Sequence, residues 1–268
     1  MTAVEGVRIG AVVTDLDGTV VRRDRTVSPA TLRAAAALEA RGIPLIAATA
    51  RTPLGLKSLS TLVPHLAFAV CCSGAVGHVP ASGATAWFDV LPRVVIADLI
   101  RTVKAAAVFD GDEWRMTAAY RTMRPTGHQG RTSVVDAAAL TEVEACSMVL
   151  CHPHRTAAEL VADLITAGFG PERVTLTYAG PRFVEVTAPS VDKASGVARA
   201  LRTIGVPPAQ TIAFGDMPID IPMFSAVGHS VAMADAPPAV LAAATFHTEN
   251  AENDGFAHML TRLGILPA

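Results

Sequence analysis

The chain has 268 residues, 51% of them hydrophobic, and a formal net charge of −2 from 22 Lys and Arg against 24 Asp and Glu. That length supports one large α/β domain or two smaller ones without staples, and the charge balance offers no bulk attraction to nucleic acid or to an anionic membrane. No run approaches the ~20 uninterrupted apolar residues of a membrane-spanning helix, and MTAVEGVRIG carries an acidic residue and an arginine where a signal peptide has a basic start and an apolar block, so a cytoplasmic protein is expected. The 4 cysteines, Cys71, Cys72, Cys146 and Cys151, lack zinc-knuckle spacing and read as buried thiols.

Short apolar runs alternate with segments of helical period, the pattern of a parallel sheet covered on both faces. IGAVVT (9–14) is a strand. Ser28 before Pro29 caps a helix that ends at Gly42. IPLIAAT is the second strand, TPLGLKSLSTLV the second helix and LAFAVCC the third strand.

From Ser82 aromatic and charged residues become denser, as in AWFDV and VFDGDEWRM, which predicts a second domain inserted into the first. Its elements are a helix over Val94 to Ala107, short strands near Val108 and Trp114, a strand at SMVLC, a helix over Thr156 to Ala167, and strands at RVTLTY and RFVEVT. The segment from Tyr120 to Ser133, rich in Arg, Gly and Pro, reads as a loop. After Pro189 the first texture returns: helix DKASGVARALRTIG, strand TIAFGD, helix PIDIPMFSAV, strand HSVAMA, and a last helix beginning near Asn253. The expected division is 1–81 with 188–268 for the outer domain and 82–187 for the insert.

Four segments carry chemistry. In VVTDLDGTV, Asp15 and Asp17 stand two apart just past a buried strand, so both face one ligand at the carboxyl edge of the sheet; like charges so close call for a cation. GDMPID brings Asp216 and Asp220 to the same edge, and oxygens from two such loops suit a hard Mg²⁺. In AATAR, Thr49 ends a strand with a hydroxyl and backbone N–H groups able to cradle a phosphate, while Arg51 has no assigned role. Lys193, in APSVDKASGV, opens a helix where its charge can reach phosphate oxygens.

In their order and placement DLDGT, AATAR, Lys193 and GDMPID resemble the four motifs of the haloacid dehalogenase superfamily. The position and texture of the insert, with FVEVTAPSVDKASGV and ENDGFAHML, resemble the Cof-like hydrolases with a type IIB cap. The resemblance implies an α/β fold, a Rossmann-like parallel-sheet core with an inserted α/β cap that closes over the site and sets specificity. It implies a phosphatase in which Asp15 is nucleophile and metal ligand, and Asp17 is acid/base and gives its backbone carbonyl to Mg²⁺. Thr49 and Lys193 would hold the phosphoryl oxygens, and Asp216, with Asp220 behind it, would complete the metal site.

The expected ligand is a small phosphorylated metabolite, a sugar phosphate first, with no nucleic acid or membrane partner and a monomer or homodimer as the working form. Arg121, Arg124, His128 and Arg131 in the insert are candidate substrate selectors. An aspartate at position 17 speaks against dehalogenation, since a halide leaving group needs no proton. Two alternatives stand beside hydrolysis: a phosphomutase resembling the phosphomannomutases, and a non-catalytic protein that binds phosphorylated metabolites. Relatives often carry Asn where this chain has Ile219 and Ser73.

Overall fold

A computed structural model describes residues 3–4, 7–124, 128, 130–178 and 180–267. The chain forms two compact units, Met1–Ala86 with Lys193–Ala268, and Trp87–Asp192. Each crossing lies five residues beyond the expected one, at 87 rather than 82 and at 193 rather than 188.

The first unit opens with a small antiparallel pair, β1 (Ala3–Val4) and β2 (Val7–Arg8). Strand β3 (Ala11–Thr14) is buried at every residue, as a central strand covered on both faces must be. Helix α1 (Pro29–Ala40) starts as its sequence requires, with the Ser28 Oγ accepting from the Thr31 N–H at 3.0 Å and proline in the first turn. After β4 (Leu45–Ala48) the expected second helix is instead two 3₁₀ turns, Pro53–Leu59 and Val63–His65. Pro53, Gly55 and Pro64 weaken an α-helix there. Strand β5 (Leu66–Cys71) is followed by β6 (Val76–Val79) and β7 (Ala84–Phe88), which join the same sheet. The change of texture at Ser82 therefore falls in the turn between this sheet's last two strands, which is why the insert begins later than expected.

In the second unit helix α2 (Arg93–Thr102) stops short of the expected Ala107, because β8 (Ala105–Phe109) is a wholly buried inner strand. Alanine favours helix locally, and burial between neighbouring strands overrides it. Then come β9 (Glu113–Met116), α3 (Ala118–Met123), β10 (Arg131–Val134), β11 (Ser147–Cys151), α4 (Ala157–Thr166), β12 (Thr175–Thr177) and β13 (Phe183–Thr187). So α3 and β10 occupy parts of the segment expected to be a loop. The six strands run in the order β10-β9-β8-β11-β13-β12, antiparallel except for β9 and β10. Ile96 and Leu99 of α2 and Leu160 and Leu164 of α4 share one buried core with Val108, Met148, Leu150 and Val186 of the sheet.

The first unit resumes with α5 (Lys193–Ile204), β14 (Thr211–Gly215), a 3₁₀ turn at Pro218–Asp220, α6 (Ile221–Ser225), β15 (His229–Met233), α7 (Pro238–Ala243), β16 (Phe246–Thr248) and α8 (Gly255–Arg262). Its sheet reads β16-β15-β14-β3-β4-β5-β6-β7, parallel from β16 to β5 and reversing at β6. From β3 the chain proceeds outward through β4 and β5, and after the insert it returns on the other side at β14. The carboxyl ends of β3 and β14 therefore flank a topological switch point, where open α/β sheets bind ligands. Among the described residues no helix is long and apolar enough to cross a membrane, and the four cysteines are buried.

Candidate active site

Asp15 is the first residue past β3, and its backbone N–H donates to the Phe214 carbonyl of β14 at 2.9 Å. This fixes it at the switch point, 7% exposed. Lys193, the first residue of α5 and 2% exposed, places its Nζ 2.6 Å from Asp15 Oδ1 and 2.7 Å from Asp220 Oδ1. The other Asp220 oxygen accepts from the backbone N–H groups of Asp216 and Met217 at 3.1 and 3.0 Å. Both Asp220 oxygens thus have partners within the protein: the residue orients Lys193 and ties down the loop that carries Asp216. Asp216 Oδ1 accepts from the Thr19 hydroxyl at 3.0 Å.

Carboxylate oxygens of Asp15, Asp216 and Asp220 lie within 4.8 Å of one another. Burial pushes the Asp15 carboxyl well above its ordinary range, Lys193 opposes this, and the charges of Asp220 and Asp216 add to it. Burial and then Asp220 push Asp216 up to about 7. Burial alone would depress the Lys193 ammonium, but Asp15 and Asp220 hold it above its usual value. One ammonium among three carboxylates leaves an excess of negative charge in a dry site. Hard oxygen donors with such an excess fit a small divalent cation, and Asp15, Asp216 and Asp220 each offer one donor within the cluster.

Two glycines permit this crowding. Gly18 has φ +88°, and a Cβ there would lie 2.3 Å from Asp216 Oδ2; a Cβ on Gly215 would lie 2.6 Å from the Asp220 Cβ.

Asp17 stands apart from the cluster. Its side chain is 57% exposed, and both oxygens are held by Arg51, Nε to Oδ2 at 2.7 Å and Nη2 to Oδ1 at 2.6 Å. The third nitrogen of that guanidinium donates to Ser58 Oγ at 2.9 Å and to the Gly55 carbonyl at 3.3 Å. Thr49, at the end of β4 and 1% exposed, accepts from the Arg51 N–H through its Oγ1 at 3.1 Å, and its carbonyl accepts from the Ser73 N–H at 3.0 Å.

A family model described as haloacid dehalogenase-like hydrolase matches residues 12–260. The chain belongs to this family. Among relatives of the hydrolase, a phosphoglycolate phosphatase of Methanothrix thermoacetophila is 24% identical over 261 residues, 95% of this chain and 97% of that one. An HMP-PP phosphatase of Cronobacter sakazakii is 26% identical over 242 residues, 88% and 87% of the two chains. The match to the YxeH protein of Bacillus subtilis is 33% identical but confined to 92 residues, 34% of each chain. A solved haloacid dehalogenase subclass IIB sugar phosphatase superposes with a TM-score of 0.83 at 21% identity, covering 96% of this chain and 99% of that one. Family, core fold and inserted α/β unit are therefore those the sequence motifs implied.

Of the site residues named from sequence, the fold brings Asp15, Asp216, Asp220 and Lys193 into one cluster and sets Thr49 on the adjacent strand end. Asp17 faces Arg51, so its carboxylate is not part of the acidic cluster. Sequence reasoning gave Arg51 no role and did not mark Thr19. The signal for Arg51 was its place one strand over from Asp17, since β3 and β4 are neighbours.

Three of the four selectors named in the insert make contacts within their own unit. Arg121 Nη2 donates to Thr132 Oγ1 at 3.1 Å, and the Arg124 guanidinium lies 4.6 Å over the Phe183 ring. His128 pairs with the Tyr120 hydroxyl at 3.1 Å and stacks 4.6 Å from Trp114. Arg131 is exposed on β10. Ile219 is buried, and Ser73 has φ +52°, a left-handed conformation that Asn tolerates better than Ser.

Proposed function

We propose that this hydrolase is a Mg²⁺-dependent phosphatase that cleaves a small phosphorylated metabolite, a sugar phosphate first, through an aspartyl-phosphate at Asp15. One observation carries the reading: two carboxylates two residues apart sit in opposite environments, Asp15 buried against Lys193 and Asp17 half-exposed in the grip of Arg51. Lys193 beside Asp15 favours the ionised form that a nucleophile needs, and Asp17, 57% exposed, can exchange a proton with water or a leaving group.

Mg²⁺ would be held by the carboxylates of Asp15 and Asp216 with the Asp17 carbonyl, and would neutralise phosphoryl oxygens. The protein's own groups do the rest. Asp15 Oδ attacks phosphorus in line while the Lys193 ammonium and the Thr49 hydroxyl take up charge on the phosphoryl oxygens. The bond from phosphorus to the ester oxygen breaks, and protonated Asp17 delivers its proton to the leaving alcohol. Asp17, now a carboxylate, takes a proton from the water that attacks the aspartyl-phosphate, which frees Asp15 and inorganic phosphate. The phosphoglycolate, HMP-PP and sugar phosphatases among its relatives support phosphate-ester chemistry. Their substrates differ, which fits one reaction carried out on many leaving groups.

The test is phosphate release from p-nitrophenyl phosphate and from sugar, nucleotide and cofactor phosphates, with Mg²⁺ and with EDTA, by the unmodified protein and Asp15→Asn. Mg²⁺-dependent release that vanishes in Asp15→Asn is the expected result. Isomerised sugar phosphate with little free phosphate would replace hydrolysis by intramolecular transfer, and no turnover with phosphate bound would sink both.

A further inference from the structure

The chain that carries Asp15 and Asp17 turns back at once. Val21 N–H donates to the Leu16 carbonyl at 2.7 Å and Gly18 N–H to the Val21 carbonyl at 2.9 Å, and Asp17 and Val21 form an isolated β-bridge. The next residue, Arg22, reaches a segment far along the chain. Its Nη2 lies 2.8 Å from Asp254 Oδ1, each side chain 25% exposed, and its Nε lies 3.4 Å from the Ala251 carbonyl. Arg23 does likewise, its backbone N–H donating to Glu252 Oε1 at 2.9 Å.

The receiving segment, within the ENDGFAHML stretch, is built rather than loose. Asn250 Oδ1 caps the Asn253 N–H at 3.1 Å, and Thr248 Oγ1 donates to the Gly255 carbonyl at 2.7 Å. Gly255 admits no side chain, since a Cβ would lie 1.8 Å from the Glu249 carbonyl oxygen. Asp254 has φ +58°, and although it is the N-cap of α8 its carboxylate caps no helix N–H. It turns to Arg22 instead, a departure from the usual habit of an N-cap aspartate. Behind it Phe256, 1% exposed, packs edge-on against Phe214 of β14 at 4.9 Å. One end of the pair is thereby anchored on the sheet, and the other is one residue from the bridge to Asp17.

We propose that the Arg22–Asp254 pair is a positioning clamp for the loop of the two aspartates, and that it sets where Asp17 stands. Its catalytic consequence rests on the phosphatase reading; its mechanical consequence does not. A partly exposed ion pair contributes little to global stability, so loss of the clamp shows up locally.

The experiment uses the full chain as Arg22→Gln, Asp254→Asn and the double variant. Asn keeps the shape of Asp and tolerates a positive φ. Hydrogen exchange measured by mass spectrometry should rise about tenfold or more in amides 16–22 of each variant, with β14 and β15 unchanged, as for a local opening. On an alkyl phosphate kcat should fall about tenfold and on p-nitrophenyl phosphate by less than about twofold, because only the poor leaving group needs the Asp17 proton. The double variant should be no worse than either single one. Unchanged exchange in the loop, equal losses on the two substrates that track a fall in Tm, or additive losses would each overturn the clamp. If the unmodified protein hydrolyses neither ester, the phosphatase reading fails, and the exchange measurement alone decides the clamp.

Discussion

Arg51 holds both carboxylate oxygens of Asp17 in a fork, at 2.7 and 2.6 Å, while its remaining nitrogen is fixed by Ser58 and Gly55. A planar guanidinium meets a carboxylate at two points, which an ammonium cannot do. Asp17 is therefore oriented before any substrate arrives. Arg51→Ala is expected to lower kcat on an alkyl phosphate by roughly 10- to 100-fold, and Arg51→Lys to recover little of it. Added guanidinium should restore part of the Ala variant's rate where methylammonium does not. Equal rescue by both cations would remove the geometric argument and leave only charge.

Among the described residues Lys193 is the cation shared by Asp15 and Asp220, with all three side chains under 10% exposed. Removing one member of such a group leaves buried charge without a partner, a loss of roughly 3–5 kcal/mol. Lys193→Met should show that loss as a lower urea midpoint at neutral pH, together with loss of hydrolysis. Adding Asp220→Asn removes one stranded carboxylate and should return part of the stability but none of the activity. A double variant less stable than Lys193→Met would show that Asp220 holds the Asp216 loop more strongly than it burdens the site.

The parallel core was legible because its strands are short, mainly apolar runs bounded by turn residues: AVVT and TIAFG are buried throughout, and their length suits inner strands rather than helices. The acidic residues were legible for the same reason, since residues just past the end of a buried parallel strand must emerge at the sheet's carboxyl edge. The strand AAAVF was hidden by alanine's helical preference, and the pair VGHV and ATAWF by a half-exposed texture that belongs equally to an edge and to an insert. Neighbouring strands put Arg51 near Asp17, but its fork on both carboxylate oxygens, like the contact of Thr19 with Asp216, depends on how the loops turn after their strands. Spacing along the chain carries no record of that, nor of Arg124 and His128 turning into their own unit.

Gly18 and Gly42 give a matched pair for the crowding at Asp216. Both have positive φ, +88° and +66°, but a Cβ at Gly18 meets Asp216 Oδ2 at 2.3 Å, whereas one at Gly42 meets nothing within 4 Å. Alanine at either site should cost about 1–3 kcal/mol for the left-handed backbone. Only Gly18→Ala displaces a carboxylate of the site, so it alone should lower kcat/KM, by about 100-fold for an ångström-scale shift. Comparable losses of activity in both variants would mean that backbone strain, and not contact with Asp216, accounts for the effect.

His128 gives the inserted unit a dependence on pH. Burial, and then the charges of Arg124 and Arg121, lower its pKa from 6.5 to about 4, and its ring sits between Trp114 and Tyr120. The folded unit thus prefers the neutral imidazole, while the unfolded chain takes up a proton near pH 6.5. Between those values the unfolded state binds more protons, so stability increases with pH. The contribution is complete above pH 6.5 and is lost progressively as pH falls toward 4. Urea unfolding monitored by tryptophan fluorescence, with Trp114 as reporter, should give a midpoint that drops between pH 7.5 and 4.5. His128→Gln, which has no charge to gain, should lower the midpoint at pH 7.5 and flatten its pH dependence; an unchanged slope in that variant would assign the acid sensitivity to the carboxylates instead.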